Sequence, residues 1–311
     1  MSVIFINHVK SQCGVYEIGK RIFDLIDKKT LPVKYFETSV NGLNEYLKII
    51  ETEKPDFILY NYFSVTLPYL NKSLFKMFPN IKHIGIIHDP LTPQMIDFYN
   101  NTFDCWVIHD QTNKSISNNK FTTVRPIRRF EKLEKKPNGT LQIGSHGFSV
   151  SPWKMFDKII DLINHEFDEV VINMNITQAT FGGYEDPKRF DNWRKLITKK
   201  NVHLNITNTY YETENELINY LSKNDLNVYF YNPPHEFVGV GGSADLAVSS
   251  QSSLVVNNTY MYRHFHDYLG FFEQKNNLTS FLDNKKEVKK LYDLWSPEKM
   301  TQDYKNMIES L

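Results

Sequence analysis

The sequence predicts an α/β protein of two domains, each built on a parallel sheet with helices on its faces. Three observations carry this. Short apolar, β-branched stretches alternate with amphipathic helical stretches, the pattern of consecutive βαβ units. The alternation stops at a charged run, Arg128 to Gly139, and restarts beyond it. At 311 residues the chain exceeds the usual size of one domain.

The first domain, residues 1–130, reads as follows. Val3 to Asn7 is a buried-type strand, and Gly14 to Asp27 an amphipathic helix. Val33 to Glu37 is a strand and Leu43 to Glu51 a helix. Strands follow at Asp56–Phe63, His83–His88, Trp106–His109 and Thr122–Arg125. Parallel crossovers in such a series are right-handed.

The second domain, residues 131–296, repeats the logic. Leu141 to Ser145 is a strand that ends in a glycine turn, and Trp153 to Asn164 a helix. Glu169–Ile176 is a strand, 186–198 a helix and Val202–Ile206 a strand. Thr213 and Glu216 have capping-box spacing at the start of a helix over Glu214–Ser222. A strand at Leu226–Tyr231 then runs through Pro233, Pro234 and the glycines Gly239, Gly241 and Gly242. A short helix, Ser243–Ser250, and a strand, Leu254–Val256, come next. Helices over Lys285–Trp295 and Pro297–Glu309 close the chain, the last with a serine N-cap and proline at its first position.

Composition narrows the function. Lysine plus arginine and aspartate plus glutamate both total 36, a balance that argues against a nucleic-acid binder relying on a broad basic surface and leaves room for a local patch. Cys13 and Cys105 make neither a disulfide framework nor a metal-ligand spacing. The N-terminus lacks a signal-peptide core, and no run of roughly 18 apolar residues could span a membrane. A cytoplasmic protein without a metal or cofactor is expected.

In tandem α/β domains, ligands bind outside the carboxyl ends of the strands, here in the cleft between the domains. The richest segment for this is Leu226 to Asn258. It fits a plain strand–turn–helix, and equally a phosphate cradle in which glycine amides and a helix N-terminus face an anion. Gly239, Gly241, Gly242 and Ser243 would form the cradle, and Asp245 could hold ribose hydroxyls. Gly144, His146 and Gly147 read as a second amide-rich loop, with Lys154 able to neutralise a diphosphate. Arg263, after a strand end, suits a phosphate clamp. Gly14 opens the first helix; Gly14 to Lys20 fits seven places of a P-loop, but Arg21 stands where Ser or Thr is needed. His88-Asp89 closes the fourth strand on the ligand side, and His109-Asp110 repeats the pair. Each of these positions also has an ordinary reading as a cap, an anchor or a surface residue.

Four stretches together resemble glycosyltransferases of the GT-B fold, specifically the family 4-like group. They are SQCGVYEIGKRIFDLI, IIHDP, IGSHGFSVSPWKMFDKIIDLI and HEFVGVGGSADLAVSSQSSLVVNN. The MYRH stretch resembles a bacterial and phage subgroup. The resemblance implies two Rossmann-like domains facing a cleft, with the helix over residues 297–311 crossing back to the first domain. It implies a nucleotide-diphosphate sugar as donor, retention of configuration and no metal, with a glycan, glycolipid or modified nucleic acid as acceptor. His88 and Asp89 would approach the donor sugar, and Glu236 would contact it. Two departures stand out. The acids Glu236 and Asp245 are separated by eight residues instead of the family's seven, and the second is aspartate. The arginine expected after the glycine of the nucleotide domain is absent. A nucleotide-sugar epimerase on the same architecture and a non-catalytic nucleotide-binding scaffold are the competing readings.

Overall fold

In the computed structural model, the described residues are all except 10–11, 114–116, 132–138, 180–187 and 234–238. They form two compact units. The first comprises the described residues within 1–126, 237–240 and 295–311; the second comprises those within 127–236 and 241–294.

The first unit runs β1 (Val3–His8), α1 (Gly14–Leu25), β2 (Val33–Thr38), α2 (Leu43–Glu53), β3 (Phe57–Tyr62), α3 (Lys72–Phe75), β4 (Lys82–Ile87), α4 (Pro93–Thr102), β5 (Cys105–Ile108) and β6 (Lys120–Thr122). Its sheet has the order β2-β1-β3-β4-β5-β6, with every pair parallel. Parallel strands covered on both faces must be apolar throughout, and every residue of β1 is buried. The last strand falls at Lys120–Thr122, earlier than the expected Thr122–Arg125. Thr123 still donates to the Ile108 carbonyl (3.0 Å), but proline at 126 can donate nothing further.

The second unit runs β7 (Gln142–Phe148), α5 (Phe156–Glu166), β8 (Glu169–Thr177), α6 (Lys188–Lys195), β9 (Asn201–Thr207), α7 (Glu214–Ser222), β10 (Leu226–Tyr229), α8 (Ser243–Ser250), β11 (Ser253–Val256), α9 (Arg263–Leu269) and α10 (Lys285–Leu294). Its parallel sheet has the order β11-β10-β7-β8-β9. The expected capping box at Thr213 and Glu216 forms in full. Arg128 and Arg129, from the charged run, are anchored here. Arg128 pairs with Glu214 at 3.1 Å, and Arg129 donates to the Tyr292 carbonyl.

Two expectations for this unit need correction. β7 continues through Gly144, His146 and Gly147, which pair in register with Asn173, Asn175 and Ile176 of β8. These residues therefore form a strand and not an amide-rich loop. The expected helix from Trp153 instead begins as a 3-10 turn, Pro152–Lys154, and restarts as α5 after Met155 in the left-handed region (φ 49°).

The chain ends in α11 (Pro297–Glu309), which belongs to the first unit. Ser296 caps it by accepting from the Lys299 amide at 3.1 Å. Thr301 accepts from the Asp27 amide, Asp303 from the Thr123 hydroxyl, and Tyr304 meets His109.

Candidate functional site

In the second unit, the C-terminal ends of β7, β10 and β11 share one edge of the sheet, because the three strands are adjacent and parallel. That is the edge where open α/β sheets take ligands. The turn Pro152–Lys154 follows β7, the glycines and α8 follow β10, and Tyr260–Arg263 follow β11. The Asn232 amide donates to the Trp153 carbonyl (2.7 Å), joining the first two of these connections.

α8 follows the glycines at this edge. From Ala244 to Ser250 it is buried, while Gly241, Gly242 and Ser243 are half-exposed. Gly242 is its N-cap, and no side chain caps it. Amides at a helix start need partners, and the macrodipole makes their surroundings favourable to an anion. Gly241 is committed elsewhere: its amide donates to the Met261 carbonyl (3.1 Å). A Cβ at 241 would lie 3.0 Å from Met261 and Tyr262 side chains. The usable amides of the expected cradle are therefore those from Gly242 onward.

Asp245 lies in the first turn of α8 but has no exposed surface. Its carboxylate stands 3.6 Å from Nε2 of buried His264. In this structure the carboxylate expected to hold ribose is fully buried beside His264 at the start of α9. Arg263 is half-buried, stacks over the Tyr260 ring (3.8 Å to its centroid) and donates to the Tyr260 carbonyl. Lys154 folds back so that Nζ donates to the Phe148 carbonyl. Burial lowers its pKa to about 8, so it stays mostly cationic at neutral pH. His146 is buried and meets the Tyr229 hydroxyl at 2.5 Å. Gly144 and Gly147 lie within β7. Glu236 lies outside the described residues.

In the first unit, His88 follows β4, and its Nε2 is 2.6 Å from Asn61 Oδ1. Burial, with His109, Arg125 and His8 nearby, lowers its pKa to about 3. A neutral imidazole of that basicity is a poor proton acceptor near pH 7. Asp89 turns onto the loop after β3, where the Ser64 hydroxyl (2.8 Å) and amide (3.1 Å) donate to it. Burial raises its pKa above the usual carboxylate value. Gly239 belongs to this unit, and a Cβ there would come within 2.8 Å of the His88 carbonyl oxygen. Gly14 opens α1 with open space beside it, but Glu17 occupies the same first turn and disfavours a second anion. His109 is an anchor, with Nδ1 donating to the Val124 carbonyl (2.7 Å) and Nε2 facing Tyr304 Oη (2.9 Å).

The residue that sequence reasoning missed is Asn61. It sits inside β3 and reaches His88 only because β3 and β4 are neighbours.

Among the described residues, no group of three or more His, Cys, Asp or Glu could hold a metal ion. No helix there is long and apolar enough to cross a membrane.

No known family model and no curated protein matches the sequence. Solved structures do match in fold. HepE from Anabaena, in complex with UDP-glucose, superimposes with a TM-score of 0.72 over 100% of both chains at 14% identity. The lipopolysaccharide outer core galactosyltransferase WaaB gives 0.61 at 12% identity, over 100% of this chain and 99% of the other. An alpha-glucosyltransferase in complex with UDP and a 13-mer DNA containing a HMU base gives 0.59 at 12% identity, over 99% of this chain and 98% of the other. The chain therefore has the GT-B fold, as the resemblance implied.

Proposed function

We propose that this chain is a glycosyltransferase that takes a nucleotide-diphosphate sugar, with the diphosphate at the N-terminus of α8. The observation that carries the reading is the half-exposed start of that helix, Gly242 and Ser243, without a side-chain cap, at the ligand edge of a parallel sheet. Structures of the same fold contain UDP-glucose or UDP, which supports a uridine nucleotide as the first donor to try.

In the reaction, the bond between the anomeric carbon and the diphosphate oxygen breaks. A new bond forms from that carbon to an acceptor oxygen, which gives up its proton. The departing diphosphate gains charge, and preorganised donors offset it. The amides at the start of α8 would do so, with Lys154 and Arg263 as cations. His88 and Asp89 would orient the sugar. Neither is a good base: the first is too weakly basic, and the second is already engaged by Ser64. Glu236 is retained as the sugar-contacting acid on the resemblance alone. We further propose retention of configuration, independence from metal and a cytoplasmic location, within a family 4-like group. The acceptor would be a glycan, a glycolipid or a modified nucleic acid; a DNA-bound relative of this fold supports testing the last.

Calorimetry with UDP, GDP and ADP tests the reading. Binding of one nucleotide, followed by turnover of its labelled sugar conjugate only when an acceptor is added, is expected. Epimerised sugar without acceptor would point to an epimerase. Binding by none of the nucleotides would point to a scaffold.

A further inference from the structure

His88 is held by a chain of side-chain amides whose orientation is dictated by backbone carbonyls. Asn61 Nδ2 lies 2.8 Å from the Val15 carbonyl oxygen and 2.7 Å from Asn7 Oδ1. A carbonyl can only accept, so the NH2 group of Asn61 must face Val15. Asn7 is oriented the same way. Its Nδ2 donates to the Tyr16 carbonyl (3.1 Å) and to Tyr35 Oη (3.0 Å), which turns its oxygen toward Asn61. Tyr35 passes its own hydrogen to Glu37 (2.9 Å). Both hydrogens of the Asn61 amide are thus committed, and only its oxygen remains for His88 Nε2, 2.6 Å away.

The geometry points to Asn61 as a positioning residue that holds His88 in one tautomer, with hydrogen on Nε2 and a lone pair on Nδ1, so that His88 accepts a hydrogen bond from a sugar hydroxyl. Nδ1 makes no hydrogen bond among the described residues. Its lone pair repels a phosphate oxygen, which also has only lone pairs, and attracts an O–H. The tautomer assignment stands on the structure; the hydroxyl assignment rests on the glycosyltransferase reading.

Gly19 makes the arrangement possible. A Cβ at position 19 of α1 would lie 2.2 Å from Asn61 Nδ2 and 2.3 Å from its Cγ. Any side chain there pushes Asn61 out of reach of Val15, which lies one turn earlier on the same helix. Burial, assisted by His109, Arg125 and His8, lowers the pKa of His88 and keeps the ring neutral, so one tautomer persists across the neutral range.

Long-range proton–nitrogen correlation spectra of the full chain, labelled at histidine and assigned with His88→Gln, test the tautomer. The wild type should show His88 protonated at Nε2 alone. Asn61→Asp should raise the pKa of the His88 ring above its wild-type value, because a carboxylate favours the charged ring. Gly19→Ala, which leaves Asn61 and His88 in place chemically, should give tautomer averaging and guards against misfolding of the first variant. An Nδ1-protonated or averaged ring in the wild type overturns the proposal, as does a His88 pKa in Asn61→Asp no higher than in the wild type.

The hydroxyl assignment is read separately. Below that raised pKa, Asn61→Asp should weaken UDP-glucose binding by about tenfold relative to UDP, because an imidazolium has no lone pair to accept from a sugar hydroxyl. Equal weakening of both overturns it. Failure of the wild type to bind any nucleotide overturns the glycosyltransferase reading and the hydroxyl assignment together, while the tautomer is decided by the spectrum alone.

Discussion

Asn224 occupies the space that Gly144 leaves open. Asn227, Gly144, Asn173 and Asn205 stand side by side in register on four strands, and Gly144 interrupts the row of asparagines. The Asn224 side chain fills the interruption. It donates to Asn227 (2.9 Å) and accepts from Asn173 (3.0 Å), which in turn accepts from Asn205 (3.2 Å). A Cβ at 144 would lie 2.3 Å from Asn224 Nδ2 and 2.7 Å from the Asn173 carbonyl. Gly144→Ala should therefore cost about 1–3 kcal/mol by overpacking and breaking a polar chain. Urea denaturation measures this. Nucleotide affinity of the folded variant should stay unchanged, since Gly144 is inside a strand; a selective loss of affinity would restore it to the binding site.

His109 and Tyr304 fasten α11 to the first unit. The Val124 carbonyl takes the hydrogen on Nδ1, so Nε2 must accept from the Tyr304 hydroxyl. Tyr304 is 1% exposed, so no water replaces that hydroxyl cheaply. Tyr304→Phe should cost about 1–3 kcal/mol, the penalty for depriving a buried polar atom of a donor. Hydrogen exchange should show the loss in the amides of α11. Wild-type protection there would mean that apolar packing alone holds the helix.

Much of the fold was legible because its signals are local. The alternation of apolar strands with helices, the Thr213–Glu216 box and the Ser296–Pro297 start each need only a few neighbouring residues. α4 carries the same kind of start, with Thr92 as N-cap before Pro93, yet was not anticipated because its apolar periodicity is weak. The glycines of β7 misled because a glycine that makes room for a distant side chain looks like one that makes a turn. Asn224 lies far along the chain, and nothing near Gly144 announces it. In the site, His88 was visible as a strand-end histidine. Its partner Asn61 was not, since that contact depends on strand order and on α1 behind it. Asp245 resembled a ligand-facing acid, but the burial of α8 on nearly all sides is a tertiary property.

Lys154 should give two opposite pH effects. Its pKa falls from 10.5 to about 8 on folding, because burial penalises the ammonium. Between these values the unfolded chain binds more protons than the folded one, so stability of the free protein should rise as pH increases from about 8 to 10. Diphosphate binding has the other sign. The free protein loses the cation above about pH 8, so UDP affinity should fall by about tenfold from pH 7 to 9. Lys154→Met should flatten both profiles. A UDP affinity that falls just as steeply in that variant would remove Lys154 from the phosphate site.

The start of α8 offers the sharpest separation of binding from stability. Gly242 has φ −90°, which any residue can adopt, so substitution there brings no backbone strain. An aspartate here would place a negative charge at the positive end of the helix. Relative to glycine, that gain is only a few tenths of a kcal/mol, so thermal stability should hold or rise slightly. The same carboxylate would repel a diphosphate. Gly242→Asp should therefore lower UDP affinity by about tenfold or more with no loss of melting temperature. Calorimetry and thermal denaturation on one preparation check both halves. Undiminished UDP binding by this stable variant would place the diphosphate elsewhere and would falsify the site assigned to α8.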